Sequence, residues 1–155
     1  MPILLGTNTD EGTSFGTTGT DTDEQCIEKL ICLYTLFYLT CFPVLSDVHI
    51  ASKRWVITRD QATKLLSYYP NDPAIGCPYG WGNVTWPSLG LQYKRYESIA
   101  GDLAMDAPRR MLAQTMSRFK NNVYSYRWDV PALNTTSLIG VQHFAEVSAP
   151  PLSSC

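Results

Sequence analysis

Three short stretches hold side chains able to do acid–base or nucleophilic chemistry. The first, Leu4-Leu5-Gly6-Thr7-Asn8-Thr9-Asp10-Glu11-Gly12, brings two carboxylates to a glycine-flanked turn after an apolar run. In open α/β sheets, ligand-binding and catalytic groups gather just past the carboxyl end of a strand. The second, Gly12-Thr13-Ser14-Phe15-Gly16, satisfies the Gly-x-Ser-x-Gly pattern of a nucleophile elbow. The third, Gly140-Val141-Gln142-His143-Phe144-Ala145-Glu146, carries one of the two histidines, the other being His49. A serine hydroxyl is a poor nucleophile without an adjacent base. An imidazole can take its proton and later hand it to a leaving alcohol, while a carboxylate on the other ring nitrogen fixes the working tautomer. By residue type alone, Asp10 and Glu11 read as solvated loop acids and His143 as a structural or surface histidine. Ser14 lacks the setting of an elbow, which needs a strand directly before it and a helix directly after. Thr7 to Glu11 intervene on one side, and a Gly/Thr-rich loop is expected on the other.

The elements that must position these groups follow from periodicity and turn chemistry. Met1 to Gly6 reads as a short buried strand ending at a glycine turn, and Thr7 to Thr22 as a loop. Asp23 to Ile31 reads as a short helix with acids at its start. Thr58 or Asp60 caps a helix through about Tyr68, with Ala62, Leu65, Leu66 and Tyr69 at helical spacing and Pro70 stopping it. Pro70 to Gly90, rich in Pro and Gly and holding Trp81 and Trp86, is a long structured loop. Leu91 to Ala100 reads as a helix. Asp102 is the expected cap of another, in which Pro108 opens a new segment or makes a kink before Met111, Leu112 and Met116. Asn122 to Val130 switches to period two and is the clearest strand. Strand, helices and strand in this order predict an α/β layer architecture.

Composition narrows the function classes. With 155 residues, 45% hydrophobic and 17% charged, the chain has material for one domain with a core. A net charge of −2 offers no basic surface for nucleic acid. Zinc-type Cys/His spacing, a Walker loop and a dinucleotide glycine fingerprint are missing, so no cofactor or metal is expected. Met1 to Gly6 has neither the basic region nor the cleavage site of a secretory signal. A chain that starts inside a strand is expected to be truncated. Leu30 to Leu45 has no charge, yet falls short of the about 20 residues of a membrane helix and carries Pro43. A buried helix or strand pair is expected there, with a membrane-associated or non-catalytic binding protein anchored by residues 30–45 as the alternative reading. Asn83-Val84-Thr85 and Asn134-Thr135-Thr136 are glycosylation sequons.

The turn Gly6-Thr7-Asn8-Thr9-Asp10-Glu11-Gly12 resembles the acid turn of type-B carboxylesterases and lipases, the cholinesterase-like α/β-hydrolases. Gly140 to Glu146 resembles that family's histidine loop. Between them, Pro78-Tyr79-Gly80-Trp81-Gly82-Asn83, Tyr93 to Asp102 and Tyr124-Ser125-Tyr126 resemble its fungal members. The resemblance implies a serine carboxylic-ester hydrolase with small-molecule or lipid ester substrates, usually secreted. Glu11 becomes the triad acid, His143 the base and Glu146 a residue supporting the loop. Chain order in this fold is nucleophile, acid, base, so Ser14 stands on the wrong side of Glu11. The nucleophile and the oxyanion segment are expected to be absent. The chain is then an inactive C-terminal fragment with an incomplete α/β-hydrolase fold over residues 1–147.

Two stretches depart from the family pattern, residues 32–51 and the tail 148–155. A retained short intron would account for both. Setting them aside removes Cys32, Cys41 and Cys155 and leaves Cys26 and Cys77, an even pair that could form one disulfide in a secreted parent.

Overall fold

A computed structural model describes residues 1–41, 57–132 and 138–147, with side chains up to Cys32 in the first of these. Strand β1 (Ile3–Asn8) and strand β2 (Val123–Trp128) pair in parallel, Ile3 opposite Val123 through Asn8 opposite Trp128. Parallel neighbours need a long crossover, and the α-helices of the described residues lie within it. These are α1 (Gly12–Phe15), α2 (Asp23–Cys41), α3 (Arg59–Leu66), α4 (Tyr93–Gly101) and α5 (Ala107–Arg118). A mixture of helices with a small parallel sheet is compatible with part of an α/β fold.

The apolar core sits between helices. Cys26, Ile27 and Leu30 of α2 meet Ala62 and Leu66 of α3 and Tyr96 and Ile99 of α4. The helical spacing of those residues delivers each to one stripe. Polar groups lock the same contact. Thr58 and Gln61 form a reciprocal capping box at the start of α3, with Thr58 Oγ1 accepting from the Gln61 amide at 3.2 Å and Gln61 Oε1 accepting from the Thr58 amide at 2.8 Å. Arg95 closes the other end: its Nε donates to the Tyr69 carbonyl at 2.6 Å and its Nη2 to that of Leu66 at 3.0 Å. The Leu66 carbonyl also accepts the Tyr69 amide at 3.1 Å, so Arg95 braces the turn that ends α3.

Four expectations need correction. β1 is not a buried strand: Leu4 is 66% exposed, and burial begins only at Thr7 and Asn8. The Thr7–Thr22 stretch is not all loop, because β1 continues to Asn8 and α1 forms one helical turn. Gly12 and Gly16 at its two ends are close-approach residues. A Cβ on Gly12 would stand 1.8 Å from the Glu97 carbonyl oxygen of α4. Helix α2 runs past Ile31 to Cys41, into the uncharged stretch, the rest of which lies outside the described residues. Among those described, no helix is long and apolar enough to cross a membrane.

Asp102 does not cap a second helix. It lies in a single helical path in which α4 passes into α5 through a π turn, Asp102–Asp106, where the Ala107 amide bonds to the Asp102 carbonyl. Pro108 has no N–H to give back to the preceding turn, and a π turn is one way a helix absorbs such a gap. The Asp102 carboxylate instead accepts the Tyr69 hydroxyl at 2.6 Å.

Candidate acid–base site

β1 ends where the chemistry begins. Its last residue, Asn8, donates its backbone N–H to Glu11 Oε1 at 2.7 Å, folding the Glu11 side chain back over the turn. The other oxygen, Oε2, lies 2.7 Å from His143 Nδ1. Glu11 is 3% exposed and His143 25%. A carboxylate so deeply enclosed needs partners, and it has the backbone amide and the imidazole. With Glu11 accepting at Nδ1, the ring's lone pair sits on Nε2, which has no hydrogen-bond partner among the described residues. Phe15 of α1 packs tilted on the imidazole, ring centroids 5.0 Å apart, and Phe144 lies 4.1 Å away on the ring.

Asp10 and Asn8 hold the acid turn and the histidine loop together. Asp10 is buried and accepts two backbone amides, Val141 at 2.7 Å and Tyr79 at 2.8 Å. Its own amide donates to the Val141 carbonyl at 2.9 Å, so Asp10 and Val141 are doubly joined. Asn8 spans the same gap on the other side, its Nδ2 donating to the Gln142 carbonyl at 2.7 Å and to Glu146 Oε2 at 2.6 Å. Thr13 Oγ1 adds a bond to the Ile139 carbonyl at 2.7 Å. Gly140 makes the approach possible. Its φ of +59° is left-handed, and a Cβ there would meet Asp10 Oδ2 at 2.2 Å. Reading Asp10 and Glu11 as solvated acids is therefore replaced: both are buried. The signal in the sequence was the pair Gly140-Val141, a glycine beside an apolar residue, whose partner across the fold no local pattern names.

The remaining expected residues are placed as follows. Ser14 is exposed on α1, and no hydrogen bond joins it to His143 among the described residues. Asn83 is exposed in the loop before α4, while Asn134 and His49 lie outside the described residues. Cys26 and Cys77 are not joined; both are free, buried thiols. Each has its own polar neighbour, Gln92 Oε1 at 3.5 Å for Cys26 and Asp10 Oδ1 at 3.7 Å for Cys77. Burial pushes the Cys26 thiol up to about 11, and burial together with the neighbouring Asp10 pushes Cys77 higher still. No group of three or more His, Cys, Asp or Glu among the described residues is arranged to hold a metal.

No family model matches the chain. It is 25% identical over 149 residues to Lipase 4 of Diutina rugosa, covering 95% of this chain and 22% of that protein. It is likewise 25% identical over 151 residues to a secreted triacylglycerol lipase of Gibberella zeae, with the same 95% and 22% coverage. The chain thus spans 22% of the length of these curated relatives. The similarity supports a relationship to ester hydrolases of the lipase and carboxylesterase kind.

Proposed function

We propose that this chain is the acid–base part of a serine carboxylic-ester hydrolase with the α/β-hydrolase fold, from the fungal, cholinesterase-like type-B branch. The observation that carries the proposal is the 2.7 Å contact between the buried Glu11 carboxylate and His143 Nδ1. In this reading Glu11 accepts the Nδ1 proton and holds His143 in the tautomer whose Nε2 is a base. Nε2 takes the proton of a serine hydroxyl as that oxygen attacks the ester carbonyl, then returns it to the departing alcohol. The Glu11 charge stabilises the imidazolium in between and need not accept the proton. Asp10, Asn8 and Glu146 set the position of the His143 loop against the Glu11 turn.

The nucleophile and the oxyanion donors come from outside these 155 residues, Ser14 having neither the order nor the contact to serve. Residues 1–147 form the partial hydrolase unit, residues 32–51 and 148–155 being foreign to it. The substrates of the complete enzyme are esters, lipid esters among them, and the complete enzyme is secreted, as the name of the Gibberella relative says of that protein. The Asn83 and Asn134 sequons fit that route.

The test has two arms. The purified chain is expected to show no hydrolysis of a p-nitrophenyl ester above buffer. Joined behind a strand–Gly-x-Ser-x-Gly–helix segment of a lipase, it is expected to gain hydrolysis that His143→Ala abolishes. Hydrolysis by the chain alone that Ser14→Ala removes would overturn the assignment, as would a joined protein whose activity ignores His143→Ala.

A further inference from the structure

Beneath α1 lies a carboxyl group that the acid–base pair does not use. Glu97 of α4 is 1% exposed, and its Oε2 has no hydrogen-bond partner. It sits directly against Gly16: a Cβ on that glycine would fall 2.0 Å from Oε2 and 2.2 Å from Oε1. The backbone of the same residue touches Gly12, the neighbour of Glu11. Glu97 therefore supports both ends of α1, a helix of four residues, and α1 carries the Phe15 ring that packs on His143.

The surroundings favour a neutral acid. α1 contributes no charge, being Gly-Thr-Ser-Phe. From α2, Lys29 is the cation that acts on Glu97, but its Nζ is committed to the Thr18 carbonyl and to Thr20 Oγ1. The Cys77 thiol from the preceding loop and the Tyr93 and Tyr96 phenols of α4 are themselves held protonated by burial, with Glu97 adding to the effect. Burial pushes the Glu97 carboxyl up to about 9, against the opposing pull of the Gly16 amide and Lys29. An ionised carboxylate in this place has to draw in water or move.

We propose that Glu97 is a proton-operated latch under α1: neutral, it lets Gly16 seat on α4 and Phe15 press on His143, and ionised, it lifts α1 and frees the imidazole from Phe15. The proton passes to bulk water as the turn opens. The consequence for catalysis rests on the Glu11–His143 reading, but the latch itself is a structural event that can be followed without any ester.

The experiment is a pH titration of the full chain, labelled with ¹⁵N, with the Gly16 amide, the His143 ring protons and the core Ile99 and Ala100 amides followed together. Gly16 and His143 are expected to share a step near pH 9, with Ile99 and Ala100 unmoved. In Glu97→Gln, which keeps the shape and cannot ionise, that shared step is expected to vanish while the Gly16 signal keeps its neutral-pH position. Four results would overturn the proposal: a Gly16 signal that stays still through pH 10, a step that survives in Glu97→Gln, a Gly16 signal displaced in that variant at neutral pH, or loss of the core signals at the same pH. The wild-type titration suffices by itself if the variant does not fold.

Discussion

Replacing Asp10 by alanine removes the acceptor that joins the acid turn to the histidine loop. The carboxylate takes the Val141 amide at 2.7 Å and the Tyr79 amide at 2.8 Å in a buried setting. Hydrogen bonds to a charged acceptor contribute about 1.5–3 kcal/mol each, so the gross loss is about 3–6 kcal/mol. Removing a buried charge returns part of that, leaving about 3 kcal/mol net. With a urea slope of about 1.5 kcal/mol/M for a small domain, the midpoint should fall by about 2 M. Equilibrium unfolding followed by tryptophan fluorescence measures it. Gly140→Ala strikes the same clamp from the other side, through its φ of +59° and the 2.2 Å approach to Asp10 Oδ2. The double variant should lose less than the sum of the two, because the second change removes a contact already broken. A midpoint shift under about 0.5 M for Asp10→Ala at unchanged slope would refute the reasoning, leaving the Asp10–Val141 backbone bond and the Thr13 hydroxyl bond to the Ile139 carbonyl as the effective tie.

Glu97 gives a pH dependence whose sign is fixed. Its folded-state value is raised from the ordinary 4.5 to about 9, so between those pH values the unfolded chain releases a proton that the folded chain keeps. Stability contributed by this group is complete below about pH 4.5 and falls as pH rises toward 9. By pH 7 the loss relative to pH 4.5 is about 3 kcal/mol, and Glu97→Gln should flatten that decline in urea unfolding at several pH values. Asn8→Ala should cost about 2 kcal/mol and speed amide exchange in the 140–147 loop, since its Nδ2 holds both the Gln142 carbonyl and Glu146. Thr58→Ala should cost about 1 kcal/mol by undoing the capping box, read from the same unfolding curves.

Much of the frame was legible because it rests on local rules. The period-two run from Asn122 to Val130 gave β2 within two residues at either end, and the Thr58 cap and apolar spacing gave α3. Glu11 and His143 were singled out by the resemblance of their glycine-flanked turns to a family's acid turn and histidine loop, and the fold brings the two side chains to 2.7 Å. What could not be read depends on surfaces meeting across long separations. Gly12 and Gly16 have the same letters as a flexible loop, and only the proximity of Glu97 gives them their role. Asp102 has the chemistry of a helix cap, but a tyrosine 33 residues earlier had already claimed it. Counting cysteines suggested a pair, whereas Cys26 belongs to the α2–α3–α4 core and Cys77 to the Asp10 side of the molecule. Asp10 shows the limit best, since its sequence neighbours say turn and its 131-residue reach to Val141 says anchor.

The claim that Glu11 makes His143 a base stands or falls on which ring nitrogen carries the proton. Nitrogen NMR of the His143 imidazole at alkaline pH reads that directly. The account predicts the Nδ1–H tautomer, a proton shifted far downfield by its short bond to Glu11 Oε2 at 2.7 Å, and loss of both features in Glu11→Gln. A wild-type ring carrying its proton on Nε2, or a tautomer indifferent to Glu11→Gln, would contradict it.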